Sequence, residues 1–222
     1  RGVTLLHDSW PLILSAIAVS VYMQIDQLML GEMIGDKAVG VYSAAVKISE
    51  VWYFIPLAIV ASVFPAILEA RNRSVAQYHA RLQKLYDLMV ILSLSVAIPM
   101  TFLATPIVSA LFGEAYIESG IVLAIHIWAS VFVFLGVASS KWFLAENRQL
   151  LSLQRTILGA IANVGLNLWL IPVCGTVGAA IATVISYAIA AFFADLFHKE
   201  TQVFFVMKLS SMNIISVLKR NR

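Results

Sequence analysis

Three ionisable side chains near the amino terminus interrupt otherwise apolar stretches: Asp26, Lys47 and Glu50. Asp26 precedes a short turn and Lys47 follows it, so the two residues belong to neighbouring antiparallel helices. At a rise of 1.5 Å per residue, Asp26 lies about 7 Å and Lys47 about 10 Å from the helix ends that this turn joins. Glu50 follows Lys47 by three residues and shares its helix face. The spacing predicts a carboxylate–ammonium–carboxylate cluster, with Gln24 adding a polar group nearby.

Two interpretations of this cluster remain open. It is either a structural ion pair that locks two helices together, or a cation, Lys47, held by two carboxylates and available to an anionic ligand in a cavity. Charged groups within apolar spans cost at least about 2.5–3.5 kcal/mol to insert into a bilayer, which makes them functional candidates. Asn163 and Asn167 are four residues apart on one helix face. They are expected either to hydrogen-bond between helices or to line a sugar-accepting cavity.

The remaining chemistry of the sequence points away from catalysis. There is no glycine-rich phosphate loop, no nucleophile-elbow serine and no histidine pair with metal spacing. The single cysteine, Cys174, excludes an internal disulfide. His126 stands alone and is expected to be a packing residue. A net charge of +3 is too small to indicate a nucleic-acid partner. We therefore expect neither an enzyme nor a cofactor.

Composition identifies the elements that must position these groups. Hydrophobic residues make up 61% of the 222 and charged residues only 12%, about half the share in a typical soluble domain, so the outer surface must face lipid. A helix needs about 20 apolar residues to cross a bilayer, and helices satisfy their own backbone hydrogen bonds there. The sequence predicts an all-α polytopic membrane protein in which residues 1–198 form one transmembrane lobe. Its six transmembrane helices are expected near residues 10–30, 41–68, 85–111, 121–144, 150–172 and 177–197.

The loop charges predict the orientation of these spans. If the six spans alternate, thirteen of the fifteen basic residues lie on one side, and Lys37 is the one basic residue on the other. Positive residues mark the cytoplasmic side, so both ends are predicted to be cytoplasmic. Residues 199–222 form a basic tail, which is either an amphipathic helix on the inner leaflet or a frayed terminus. The thirteen are Arg1, Arg71, Arg73, Arg81, Lys84, Lys141, Arg148, Arg155, Lys199, Lys208, Lys219, Arg220 and Arg222.

Several short motifs, in order along residues 1–197, resemble the carboxy-terminal half of bacterial O-antigen and polysaccharide flippases. This family is part of the multidrug/oligosaccharidyl-lipid/polysaccharide exporter superfamily. Each motif alone is weak, but their order and spacing make the resemblance specific. The motifs are DQLMLG at 26–31, VGVYSAA at 39–45, WYFIP at 52–56, LFGEAY at 111–116 and GAAIAT at 178–183, together with Lys47, Glu50, Asn163 and Asn167.

The resemblance implies a twelve-helix carrier of two six-helix lobes that works by alternating access. This chain would be the second lobe, which agrees with its beginning at Arg1 rather than Met, and an amino-terminal six-helix lobe would be its partner. The implied substrate is an undecaprenyl-pyrophosphate-linked oligosaccharide that crosses the bacterial inner membrane. Coupling to an H⁺ or Na⁺ gradient, and partnership with other polysaccharide assembly proteins and with membrane lipid, would follow.

The resemblance also suggests roles for basic residues. Lys47 would attract the anionic headgroup of the substrate inside the cavity. Four cations would gather the pyrophosphate at the cytoplasmic mouth, although membrane topology alone would also explain them; they are Arg71, Arg73, Arg81 and Lys84.

Two other functions compete with this one. An ion-coupled multidrug exporter of the same superfamily would share the fold and would differ in the amino-terminal lobe. A membrane polysaccharide ligase or polymerase would need a large outer loop with acidic, arginine or histidine residues. The predicted outer loops are short and offer only solvated acids, which disfavours the enzyme; the acids are Glu32, Asp36, Glu114 and Glu118.

Overall fold

The computed structural model describes Trp10, Ile13, Leu14 and residues 23–220, and all regular structure within them is helical. The predictions that concern Arg1, Arg222 and most of the first half of the first span lie outside the described residues. The helices are α1 (residues 23–33), α2 (Asp36–Glu50), α3 (Phe54–Arg73), α4 (Val75–Phe112), α5 (Ser119–His126), α6 (Ala129–Ala145), α7 (Gln149–Ala191), α8 (Gln202–Met212) and α9 (Ile214–Arg220). Three short 3₁₀ turns, Val51–Tyr53, Glu114–Tyr116 and Phe193–Leu196, join some of them.

Four helical stretches of the described chain are long and apolar enough to cross a membrane: Asp36–Arg73, Val75–Phe112, Ser119–Ala145 and Gln149–Leu196. The first combines α2 and α3 across a 3₁₀ turn, and the third combines α5 and α6. Many large apolar side chains on these helices are exposed, among them Phe102, Leu168 and Trp169. An exterior of this kind is what a lipid-facing bundle requires. The structure confirms an all-helical architecture typical of a membrane protein.

Helix α7 folds back on itself at Gly175. A straight helix of its 43 residues would be about 65 Å long, twice the thickness of a bilayer core. Gly175 has φ +58° and ψ −135°, a conformation that breaks the helix and that glycine adopts without steric cost. The two halves pack antiparallel, as a contact between them shows: the Arg155 Nε, in the first half, donates to the Ala190 carbonyl, in the second half, at 2.8 Å. The break falls between the fifth and sixth spans predicted from the sequence.

The close packing of this hairpin depends on Gly178. A Cβ atom placed there would lie 2.2 Å from the Leu170 carbonyl oxygen and 2.6 Å from its carbon. Small residues permit such close approach of membrane helices, and Ala179 and Ala180, which follow, are fully buried. The hairpin therefore brings the two halves of α7 into backbone contact near the turn.

Ion pairs connect the loops at both ends of the bundle. At one end Lys37, at the start of α2, pairs with Glu118 just before α5, at 3.0 Å. At the other end Arg71 pairs with Glu146 at 2.5 Å, and Arg148 with Glu200 at 2.6 Å. These pairs place the loops after α3, α6 and α7 at one end of the bundle, the grouping that alternating spans predict.

The carboxy-terminal segment packs against the bundle in a way that the sequence did not suggest. Phe204 and Met207 of α8 belong to the apolar core that contains Tyr86 and Trp142. Val206 and Leu209 are exposed on the opposite side of α8, whereas Lys208 is fully buried. The frayed-terminus interpretation is therefore wrong for α8, because its apolar side chains contribute to the core.

Candidate functional site

A buried carboxylate, Asp26 on α1, is the centre of a polar cluster that joins α1, α2 and both halves of α7. Its side chain is 3% exposed. One carboxylate oxygen, Oδ2, accepts hydrogen bonds from the Tyr42 hydroxyl at 2.8 Å and the Thr183 hydroxyl at 2.6 Å. The other, Oδ1, accepts from the Asn167 amide at 2.5 Å. The two hydroxyls also lie 3.0 Å from each other.

The two asparagines complete what we call the Asp26 cluster: Asp26, Tyr42, Asn163, Asn167 and Thr183. Asn167 donates through Nδ2 to Asn163 Oδ1 at 3.1 Å, and both side chains are fully buried. The predicted shared face of this pair is therefore present, and Asn167 links Asn163 to Asp26 in the interior of the bundle. Asn167 Oδ1 and Asn163 Nδ2 have no hydrogen-bond partner among the described residues. The cluster thus holds an acceptor oxygen that nothing in it satisfies.

The Asp26 cluster lacks a positive charge. All three groups that donate to the carboxylate are neutral, and within the described part of the chain no Lys or Arg pairs with Asp26. An ionised carboxylate buried without a counter-charge costs several kcal/mol. The cost disappears if the carboxyl binds a proton or if a small cation joins it. Carboxylate, amide and hydroxyl oxygens are the ligands that hard cations prefer.

The predicted contact between Asp26 and Lys47 is wrong. Lys47 is exposed, and no described residue forms an ion pair with it. The reason is helical rotation. Tyr42, which does contact Asp26, lies five residues before Lys47, and five residues turn an α-helix by about 140°. Those five residues also place Lys47 about 7.5 Å further along α2 than Tyr42, so Lys47 differs from Tyr42 in both depth and direction.

Lys47 instead belongs to a second polar surface, on α1 and α2. We call it the Lys47 face: Gln24, Gln27, Ser43, Lys47 and Glu50. Gln24 and Lys47 are exposed and Glu50 is half-buried, and the Ser43 hydroxyl donates to Gln27 Oε1 at 3.0 Å. Glu50 has no ion-pair partner in the described chain either. The predicted cluster is thus divided between a buried carboxylate and an exposed face.

The four basic residues predicted at the mouth differ in their surroundings. Arg71 is paired with Glu146, and Arg73 with Glu69 at 2.5 Å. Arg81 donates to the Ala66 carbonyl at 2.7 Å, and both it and Lys84 line an open pocket between α3 and α4. Arg81 and Lys84 are therefore better placed than the two paired arginines to meet an external anion.

Sequence reasoning missed Tyr42 and Thr183. A usable signal existed for Tyr42, which lies at nearly the same depth as Asp26 on the neighbouring helix. Thr183 had a weaker one: it is a hydroxyl residue four positions after Ala179 in a run of small residues, where a helix approaches its neighbours closely. Its contact with Asp26, 157 residues away in sequence, depends on the fold-back at Gly175.

His126 occupies a packing position, as predicted. It is 3% exposed, and its Nδ1 lies 3.0 Å from the Ser49 hydroxyl. Its ring meets the Tyr42 ring edge-on with centroids 6.0 Å apart. Within the part of the chain that the structure describes, no three His, Cys, Asp or Glu side chains group as a metal site would require.

Comparison with known proteins finds similarity to one protein family and to two individual proteins. Residues 3–71 match a family described as "Polysaccharide biosynthesis protein". Two proteins of Haloferax volcanii are similar over most of the chain. One, a probable low-salt glycan biosynthesis flippase, Agl15, is 23% identical over 80% of this chain, and the other, a probable flippase, AglR, is 27% identical over 78%. No solved structure matches significantly.

The chain covers 38% and 37% of the lengths of these two relatives. The resemblance to polysaccharide flippases is therefore confirmed, and a match of this partial length fits one half of such a protein. The relatives carry a transporter's name rather than an enzyme's. Together with the four apolar helices, these similarities support a multi-pass membrane protein.

Proposed function

We propose that this chain is one six-span lobe of a flippase that moves a lipid-linked oligosaccharide across a membrane by alternating access. The observation that carries the proposal is the Lys47 face. An exposed lysine within an apolar span would cost at least about 2.5–3.5 kcal/mol against lipid. A water-filled cavity, closed by a second lobe of the same polypeptide, removes that cost. The two flippases similar to this chain are each more than twice the length that it covers.

The six-span count is part of the proposal. The fold-back at Gly175 divides the fourth apolar stretch into two, and α1 supplies the end of a further span. An even number of spans would place both ends of the lobe on the same side, for which the clustered basic loops favour the cytoplasm. We propose an undecaprenyl-pyrophosphate headgroup as the anion and a bacterial inner membrane as the location. Lys47 would meet the headgroup in the cavity, and Arg81 and Lys84 would meet it at the mouth.

The Asp26 cluster provides a second component of the transporter, a binding site for the coupling ion. A buried carboxylate without a counter-charge is stable only with a proton or a cation, so its occupancy would change the energy of the α1–α2–α7 contact. Because the cluster joins α1, α2 and both halves of α7, ion binding would favour one arrangement of these helices over another. We propose that H⁺ or Na⁺ at Asp26 drives the return of the empty carrier.

Replacing Lys47 by Ala should leave the folded protein intact and reduce transport at least tenfold. Lys47 forms no ion pair with any described residue, so its removal breaks no buried contact, while the cavity loses its cation. Yield and thermal stability of the purified full-length protein are measured beside oligosaccharide export in cells. Lys141→Ala, another exposed lysine, is the control and should behave as wild type. Loss of folded yield in Lys47→Ala would instead indicate a structural strut.

Deleting the gene tests the function itself. Lipid-linked oligosaccharide should accumulate on the cytoplasmic leaflet, and the full-length gene should restore export. Normal export in the deletion strain, with altered drug susceptibility alone, would favour the multidrug exporter and contradict the flippase.

A further inference from the structure

A groove between α6 and the two halves of α7 is separate from both polar sites. Its volume is about 250 Å³, and none of the residues that line it belongs to the Asp26 cluster or the Lys47 face. Its lining runs along α6 from Phe132 to Phe143, about 16 Å at 1.5 Å per residue. The walls toward Phe132 are mostly apolar, and Ser140, Ser152 and Arg155 lie at the other end. The groove is therefore amphipathic along its length.

The polar end of the groove adjoins a cluster with more positive than negative charge. Asp195 is 1% exposed and pairs with Lys208, which is fully buried, at 2.6 Å. The same carboxylate lies 3.6 Å from an Arg155 Nη. Two cations thus share one carboxylate. Burial, together with the neighbouring Arg155, lowers the pKa of the Lys208 ammonium to about 7, against the opposing effect of Asp195.

The geometry of Arg155 leaves part of its guanidinium for another anion. Nε donates to the Ala190 carbonyl, and the group lies 4.8 Å above the Phe143 ring. Asp195 is beyond hydrogen-bond distance, and its Oδ1 has no hydrogen-bond partner among the described residues. An arginine fork binds phosphate oxygens well, more so at a partly dehydrated site. Ser152 and Thr156 line the same space.

We propose that this groove binds an anionic membrane phospholipid, with its phosphate on Arg155 and one acyl chain along the apolar wall of α6. Charge complementarity supports the assignment, since Asp195 binds Lys208 at 2.6 Å and lies 3.6 Å from Arg155, so a phosphate would give the guanidinium a closer counter-charge. The separation from the Lys47 face argues for a lipid of the surrounding leaflet rather than the transported substrate. The proposal requires only a membrane location and does not depend on which glycan is moved.

The test uses the full-length protein in nanodiscs and native mass spectrometry of retained lipids. Phosphatidylglycerol should be retained at least tenfold more than phosphatidylcholine, and Arg155→Gln should remove that preference. Arg148→Gln is the matched control, because Arg148 is an exposed arginine at the same end, paired with Glu200. Its preference should equal that of wild type.

A second variant keeps the assignment testable if Arg155→Gln folds poorly. Val133→Trp fills the apolar wall and leaves the charged cluster intact, so it should reduce phosphatidylglycerol retention at least fivefold. Equal retention of both lipids by wild type, or full preference in either variant, would overturn the proposal. Selective retention of polyprenyl phosphate over phosphatidylglycerol would overturn it too, because the groove would then be a substrate site.

Discussion

Replacing Asp26 by Asn should reduce transport at least a hundredfold while leaving the folded protein as stable as wild type, or more so. Asn matches Asp in shape and keeps an oxygen that accepts from the Tyr42 or Thr183 hydroxyl. It removes an uncompensated buried charge, whose burial costs several kcal/mol. The variant cannot exchange a proton, and it holds a cation less well. The expected result therefore separates transport from folding.

The measurement compares export per folded molecule with thermal stability, and Asp87→Asn provides the control. Asp87 is also a buried carboxylate, 1% exposed, but it accepts two hydrogen bonds from Arg220, at 2.8 and 3.1 Å. Its neutralisation breaks an ion pair, so stability should fall by about 1–3 kcal/mol with transport per folded molecule retained. Loss of folded Asp26→Asn protein, or its normal transport, would contradict the role assigned to the Asp26 cluster.

Replacing Gly178 by Ala should destabilise the protein severely. The new Cβ would lie 2.2 Å from the Leu170 carbonyl oxygen, and a backbone atom cannot rotate away as a flexible side chain could. Separation of the two halves of α7 would displace Thr183 from Asp26. Overpacking typically costs about 1–3 kcal/mol, and a clash with a backbone atom places this change at the upper end of that range. The fraction of monodisperse protein after detergent extraction and the thermal midpoint measure the effect.

Gly165→Ala is the matched control within the same helix. A Cβ at Gly165 meets no other atom within 4 Å, so this change should be neutral or stabilise by up to about 1 kcal/mol through helix propensity. A Gly178→Ala protein as stable as Gly165→Ala would show that the two halves of α7 do not pack as described.

The sequence was sufficient to predict the helical class, the presence of apolar spans and the orientation of Asp26 toward the interior of the bundle. Hydropathy depends on composition over about 20 residues, which tolerates small errors in helix ends. The pairing of Asn163 and Asn167 was also predictable, because residues four apart lie on one helix face. The features that the sequence predicted correctly are therefore those that depend on the residue pattern within a single helix.

The partners of Asp26 were not predictable in the same way. Depth along a helix follows from counting residues, but the rotation of one helix against another depends on packing. Five residues separate Tyr42, which contacts Asp26, from Lys47, which does not. The inward orientation of Lys208 was missed for a related reason. A lysine beyond the last span was grouped with the cytoplasmic basic residues of the tail, whereas Asp195 and the Ala191 carbonyl bind it inside the bundle.

The most direct test of the flippase proposal is reconstitution of the full-length protein into proteoliposomes with a labelled polyprenyl-pyrophosphate oligosaccharide. The proposal predicts that label reaches the opposite leaflet at least ten times faster than in protein-free vesicles. The rate should depend on an imposed Na⁺ or H⁺ gradient. The Asp26→Asn variant should transport far more slowly than wild type under the same gradient. Movement no faster than in protein-free vesicles, or an Asp26→Asn rate equal to that of wild type under the same gradient, would contradict it.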